Sequence, residues 1–123
     1  MAPDDTMVPT VMPAVFGSPY VIALAVVSGP APATIHRITR PETVIGRGVR
    51  ADYVIEGDSE VSNTHFSVEV SGTVCTLVDM GARNGTLLNG KPMKPNSRER
   101  LKPLDEIQIG KTRLLFTMNR FRE

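Results

Sequence analysis

Three two-residue turn signals, Ser71-Gly72, Asn89-Gly90 and Gly110-Lys111, separate short stretches rich in β-branched and apolar residues. Asn-Gly is the strongest of them, because both central positions of a type I′ hairpin need φ > 0, which these two residues tolerate best. The flanking "GTLL" and "KPM" supply short hairpin arms. Gly110-Lys111, between "DEIQIG" and "TRLLFTM", suits a type II′ turn with glycine first. In "HFSVEV", Phe66, Val68 and Val70 alternate with Ser67 and Glu69, the period of two of a half-buried strand, and Ser71-Gly72 leads on to "TVCTLVD". "YVIALAVV", "ATIHRIT" and "ETVIGR" add strand candidates, punctuated by Gly29, Pro30, Pro32 and Pro41. No segment sustains a 3.6-residue apolar period with caps, so the chain reads as an all-β sandwich or barrel with little or no helix.

A chain of 123 residues has room for one such domain. Residues 1–19 hold Pro3, Pro9, Pro13 and Pro19 and read as an extended or disordered arm, without the basic start and apolar stretch of a signal peptide. The domain is expected over residues 20–119, with a short tail at 120–123. The longest apolar run, Tyr20 to Val27, is too short to span a bilayer. A net charge of +1 gives no global pull toward nucleic acid or membrane. Cys75 is the sole cysteine and His36 and His65 the sole histidines, so neither a disulfide nor a Cys/His zinc cluster is expected. No cofactor is implied, and a reducing intracellular compartment, cytoplasm or nucleus, fits.

Two catalytic patterns fail on geometry. Ser62, His65 and Asp79 suggest a triad, but in an extended segment a spacing of three directs Ser62 and His65 to opposite faces, and no nucleophile elbow surrounds the serine. "GRGVRA" matches a dinucleotide fingerprint, yet "DYVIEG" follows and leaves no helix to face a pyrophosphate. An enzyme is not expected. The C-terminal cations Arg98, Arg100, Lys102, Lys111, Arg113, Arg120 and Arg122 raise a nucleic-acid reading, against which stand the absence of tryptophan and the small net charge.

An ordered set of motifs uses these same pieces. Gly46-Arg47, then Ser62 with His65, then Asp79 with Asn84-Gly85-Thr86 and Asn89-Gly90, then Asp105, Ile107, Ile109 and Gly110 together resemble the forkhead-associated (FHA) domain over about residues 20 to 118. The resemblance implies an FHA-like β-sandwich of about eleven mostly antiparallel strands that binds phosphothreonine peptides through loops at one end. Phosphothreonine carries roughly −1.5 to −2 charge. Arg47 offers it a permanently charged fork, Ser62 a hydroxyl donor and Asn63 an amide. By the resemblance, Asn84 hydrogen-bonds the ligand main chain, while Gly46, His65, Gly85, Asn89 and Gly90 shape the loops. Arg83 stands where many members have a small hydroxyl residue, and is read either as a charged phosphate contact or as a solvated cation.

The expected partner is a protein phosphorylated on threonine by a Ser/Thr kinase, with no role for nucleic acid or membrane. The alternative is an FHA-fold interaction or dimerisation module that ignores phosphate. Glu56, Asp58 and Glu60 suggest an acidic rim favouring basic or apolar peptide flanks, or else simply solvated carboxylates. "TMVPTVMP" places Thr6 and Thr10 each three residues before a proline, so that phosphorylation of either could drive self-association; the other reading is an inert leader.

Overall fold

The computed structural model describes residues 19–120, and the Thr6/Thr10 expectation lies outside them. Eleven strands follow in order: β1 (Tyr20–Ser28), β2 (Ile35–Ile38), β3 (Glu42–Gly46), β4 (Tyr53–Val54), β5 (Phe66–Ser71), β6 (Val74–Asp79), β7 (Thr86–Leu88), β8 (Lys91–Pro92), β9 (Arg98–Leu101), β10 (Glu106–Ile109) and β11 (Thr112–Arg120). No helix occurs among the described residues, and so none long and apolar enough to cross a membrane. The strands form two sheets, β2-β1-β11-β10-β7-β8 and β4-β3-β5-β6-β9. The β3/β4 pair is parallel, joining Ile45 with Tyr53, while the other ladders are antiparallel. This is an all-β sandwich, one of the two classes the turn and strand pattern left open and the one the resemblance implied.

The alternation in β1, β10 and β11 sends Ile22, Leu24, Val26, Ile107, Ile109, Leu114 and Phe116 inward from one sheet. They meet Ile45, Phe66, Val68, Val70, Cys75 and Leu77 of the other in a single core. The Cys75 thiol lies in that core, and burial pushes its pKa up to about 11, so it is unreactive as a thiolate. β1 and β11 form a long ladder in which Tyr20 faces Arg120, so the two ends of the described chain lie side by side.

The turns mostly follow local chemistry. Asn89 and Gly90 have φ of 52° and 82°, as a type I′ turn requires, and Gly110 leads its turn at φ 56°. The first hairpin differs by one residue from the sequence expectation. Ser71 still pairs with Val74, so Gly72-Thr73 forms the centre of the turn, with Gly72 at φ 62°. A glycine-first turn needs Gly at the left-handed position, and this fixes the register. Ser67, expected on the open face, is buried. β9 carries no alternating signal in "RERL"; it is an edge strand held by backbone pairing to β6, and its charges discourage further strand addition.

Candidate functional site

Three loops meet at one end of the sandwich: residues 47–52 after β3, 55–65 before β5, and 80–85 between β6 and β7. The first two are laced together by backbone bonds, Arg47 N–H to Ser62 O at 2.9 Å and Gly48 N–H to Asn63 O at 3.1 Å. This approach is why glycine stands at 46. A Cβ there would lie 2.1 Å from the Asn63 carbonyl oxygen, which is backbone and cannot swing aside. Gly48 is similarly crowded, 2.8 Å from Asn63 Cβ, a requirement not identified from the sequence.

His65 is fully buried beneath this junction. Its Nδ1 accepts from the Ser62 backbone N–H at 3.0 Å, and its Nε2 faces the Gly85 carbonyl oxygen at 2.7 Å. An amide can only donate and a carbonyl can only accept, so the proton sits on Nε2 and the ring is neutral. Burial lowers its pKa, opposed in part by the Gly85 hydrogen bond and by the charges of Asp79 and Asp58. The expectation that Ser62 and His65 diverge is therefore only half met. Residues 63 and 64 bend instead of running extended, which brings the ring back under Ser62, but to its backbone nitrogen and not its hydroxyl. With both ring nitrogens engaged, His65 is no base for Ser62.

Asp79 does not complete a triad either. Its buried carboxylate accepts from Thr86 Oγ1 at 2.6 Å and Gly81 N at 2.9 Å, closing the 80–85 loop, and from Asn96 N at 3.2 Å, which ties that loop to the segment between β8 and β9.

Above this frame stand the groups facing solvent. Arg47 Nε donates to the Val61 carbonyl at 2.9 Å, which fixes the guanidinium while the side chain stays exposed. The half-buried Ser62 Oγ accepts from Arg83 N–H at 3.0 Å, leaving its own O–H proton free to donate. Asn84 Nδ2 donates to the Glu60 carbonyl at 3.0 Å, which leaves its Oδ1 as an acceptor. Asn63, Arg83 and Asn84 are exposed. Arg47, Ser62, Asn63, Arg83 and Asn84 thus gather at one end, with Gly46, His65 and Gly85 directly behind them. Asn89 and Gly90 do not join them, because β7 carries the chain some 10 Å away. Their turn is tied instead to Asp105, which accepts from Asn89 Nδ2 at 3.0 Å, and to Glu106, whose N–H donates to Asn89 Oδ1 at 2.9 Å.

The structure withdraws Asp58 from the expected acidic rim, while Glu56 and Glu60 stay exposed. Asp58 is 2% exposed and accepts from Thr112 Oγ1 at 2.7 Å, Lys111 N at 2.8 Å and Glu60 N at 3.1 Å, stapling the 55–65 loop to the β10–β11 turn. Burial alone would raise its pKa, but the hydrogen bonds from Thr112, Lys111 and Glu60 outweigh it and hold the carboxyl below its ordinary value. The Glu60 carboxylate pairs with Lys111 at 3.7 Å. An Asp two residues before an amide it caps, just after a glycine at φ 84°, was the available signal for a turn carboxylate. No cluster of metal-ligating side chains occurs among the described residues.

The FHA domain profile matches residues 43–110, the span from β3 to the β10–β11 turn. The chain belongs to the FHA domain family. This FHA domain is 35% identical over 93 residues to the oxoglutarate dehydrogenase inhibitor of Corynebacterium efficiens, covering 76% of this chain and 63% of that protein. It is 36% identical over 101 residues to the glycogen accumulation regulator GarA of Mycolicibacterium smegmatis, covering 81% of this chain and 61% of that one. The chain therefore spans a little over three fifths of these relatives. Among solved structures, the N-terminal FHA domain of Saccharomyces cerevisiae Rad53p, in complex with a phosphothreonine peptide, superposes with a TM-score of 0.70 at 26% identity, covering 80% of this chain and 94% of that domain.

Proposed function

We propose that this FHA domain is a phosphothreonine-dependent peptide- and protein-binding adaptor in intracellular signalling, with no catalysis of its own. The observation that carries the reading is the pairing of Arg47 and Ser62. Arg47 is oriented by Val61 with the rest of its fork exposed, and the Ser62 hydroxyl is oriented by Arg83 N–H with its proton unspent. A phosphate seated there meets a charged fork and a neutral donor already held in place, so little ordering is lost on binding. Asn63 adds an amide donor beside them, and Asn84 offers its acceptor to the peptide main chain. Arg83 supplies further positive charge. Gly46, His65 and Gly85 act through position alone.

The partner is a protein phosphorylated on threonine by a Ser/Thr kinase, met in the cytoplasm or nucleus. The engagement of both His65 nitrogens supports the absence of general-base chemistry. The threonine methyl gives a bounded preference over phosphoserine, about 1–3 kcal/mol. Fluorescence anisotropy of degenerate phosphothreonine, threonine and phosphoserine peptide pools, with wild type and Arg47→Ala, tests the reading. Binding to phosphothreonine that weakens about 10- to 100-fold in the variant is expected for loss of a charged hydrogen-bond donor. Equal binding to the unphosphorylated pool would instead favour a phosphate-independent interaction module.

A further inference from the structure

The charge around the loops is arranged asymmetrically. Arg83 is fixed by its backbone N–H on Ser62 Oγ, yet its side chain is exposed and makes no ion pair among the described residues. Arg47 and Arg50, on the neighbouring 47–52 loop, are likewise exposed and without an acidic partner. Most of the acids that would balance them are engaged elsewhere, and Asp52, on the same loop as Arg47 and Arg50, pairs with Arg40. Asp58 is buried on the β10–β11 turn and Glu60 pairs with Lys111. Glu56 lines a small cavity with Pro32, Thr34 and His36 at the β2/β4 edge of the sandwich.

Three unpaired guanidinium groups therefore stand at an end whose primary ligand brings roughly −1.5 to −2 charge. Arg47, Ser62 and Asn63 already provide donors for that phosphate. Arg83 is the cation left over, anchored at Cα but untethered at its tip, with a planar fork that fits a carboxylate or a second phosphate.

We infer that Arg83 makes this domain select phosphothreonine peptides that carry a second anionic group, an acidic side chain or another phosphate, within a few positions of the phosphothreonine. The inference rests on the phosphothreonine reading and reverses the flank preference that the acidic residues of the 55–65 loop suggest from sequence. Arg83 is then a specificity-determining residue: it ranks phosphothreonine ligands by their neighbours.

The test uses one phosphothreonine peptide frame with alanine, aspartate, lysine or a second phosphothreonine placed at each of the three flanking positions on either side. Affinities are measured for wild type, Arg83→Ser and Arg83→Lys at low and high salt. At one or more positions the wild type should bind the aspartate and doubly phosphorylated peptides about 3- to 10-fold tighter than the lysine peptide, a margin that shrinks with salt as expected of an exposed charge pair. The aspartate and diphosphate arms distinguish a carboxylate from a phosphate as the preferred second group. Arg83→Ser should bring the acid-to-lysine ratio close to one, and Arg83→Lys should restore part of it. A ratio unchanged in Arg83→Ser, even if every peptide binds more weakly, overturns the inference and confines Arg83 to the primary phosphate. A wild type that binds no phosphothreonine peptide overturns the functional reading together with it.

Discussion

The Asn89-Gly90 turn and the loop of residues 55–65 both reverse the chain, by opposite means. The backbone of the turn is set by its own two residues, whose φ of 52° and 82° match what Asn and Gly adopt at low cost, and the Asn89 side chain then docks on Asp105 and Glu106. The loop is closed from a distance. Asp58 reaches 53 and 54 residues along the chain to Lys111 and Thr112, and His65 reaches 20 residues to Gly85. The difference lies in where the free energy is held: in backbone preference at the turn, and in a few buried polar groups at the loops. Such groups are costly to orphan, because partners buried with them lose their hydrogen bonds without regaining water.

The comparison can be broken most severely at Asp79. Replacing it with alanine strands the Thr86 hydroxyl and two loop amides, and should lower the unfolding free energy by about 3–4 kcal/mol in a urea titration. A loss under about 1 kcal/mol would mean that the 80–85 loop holds without its carboxylate. Gly46→Ala comes next, at about 2–3 kcal/mol, because the Asn63 carbonyl must move to admit the methyl. Phosphothreonine affinity should fall with it, since Ser62 and Asn63 ride on that peptide. Gly90→Ala should cost only about 1 kcal/mol for a left-handed φ and leave phosphothreonine affinity unchanged. If affinity dropped in that variant, the separation between turn and loops would not hold.

The mildest perturbation is acid. The folded pKa of His65 lies below its ordinary 6.5, so between the two values the unfolded chain takes up a proton that the folded one refuses. The His65 contribution to stability is full above pH 6.5 and declines as pH falls through that value toward the folded pKa. Protonated Nδ1 can no longer accept from Ser62 N–H. Amide exchange at Ser62, corrected for intrinsic rates, should thus gain more at pH 5.5 than exchange at Lys91 beside the hairpin turn. Equal gains would place the acid response in the whole sandwich.

The same contrast explains what was legible in the sequence. Strands with period-two alternation and turns with Asn-Gly or a leading glycine carry their instructions locally, so the all-β class could be read from them, with a one-residue slip at Gly72 and Ser67 buried instead of open. β9 was not legible, because an edge strand held by backbone pairing needs no apolar face. The loops were legible only through the order of motifs along the chain, a pattern with no local physics of its own. Whether a carboxylate such as Asp58 points outward to solvent or inward to a distant turn depends on residues more than fifty positions away. Composition placed Asp58 on an acidic rim, whereas folding turns that one carboxylate into a staple.

The pairing of Tyr20 with Arg120 has a consequence for how such a module can be carried. β11 starts at Thr112 beside Asp58 and runs for nine residues, so Arg120 lies roughly 25–30 Å from the loops. Both ends of the described residues therefore lie at the back of the molecule. A tether attached to either end can be lengthened, shortened or fused to a second body without crossing the recognition face. Linker length then sets the local concentration of the domain near its target independently of the contacts that define the target.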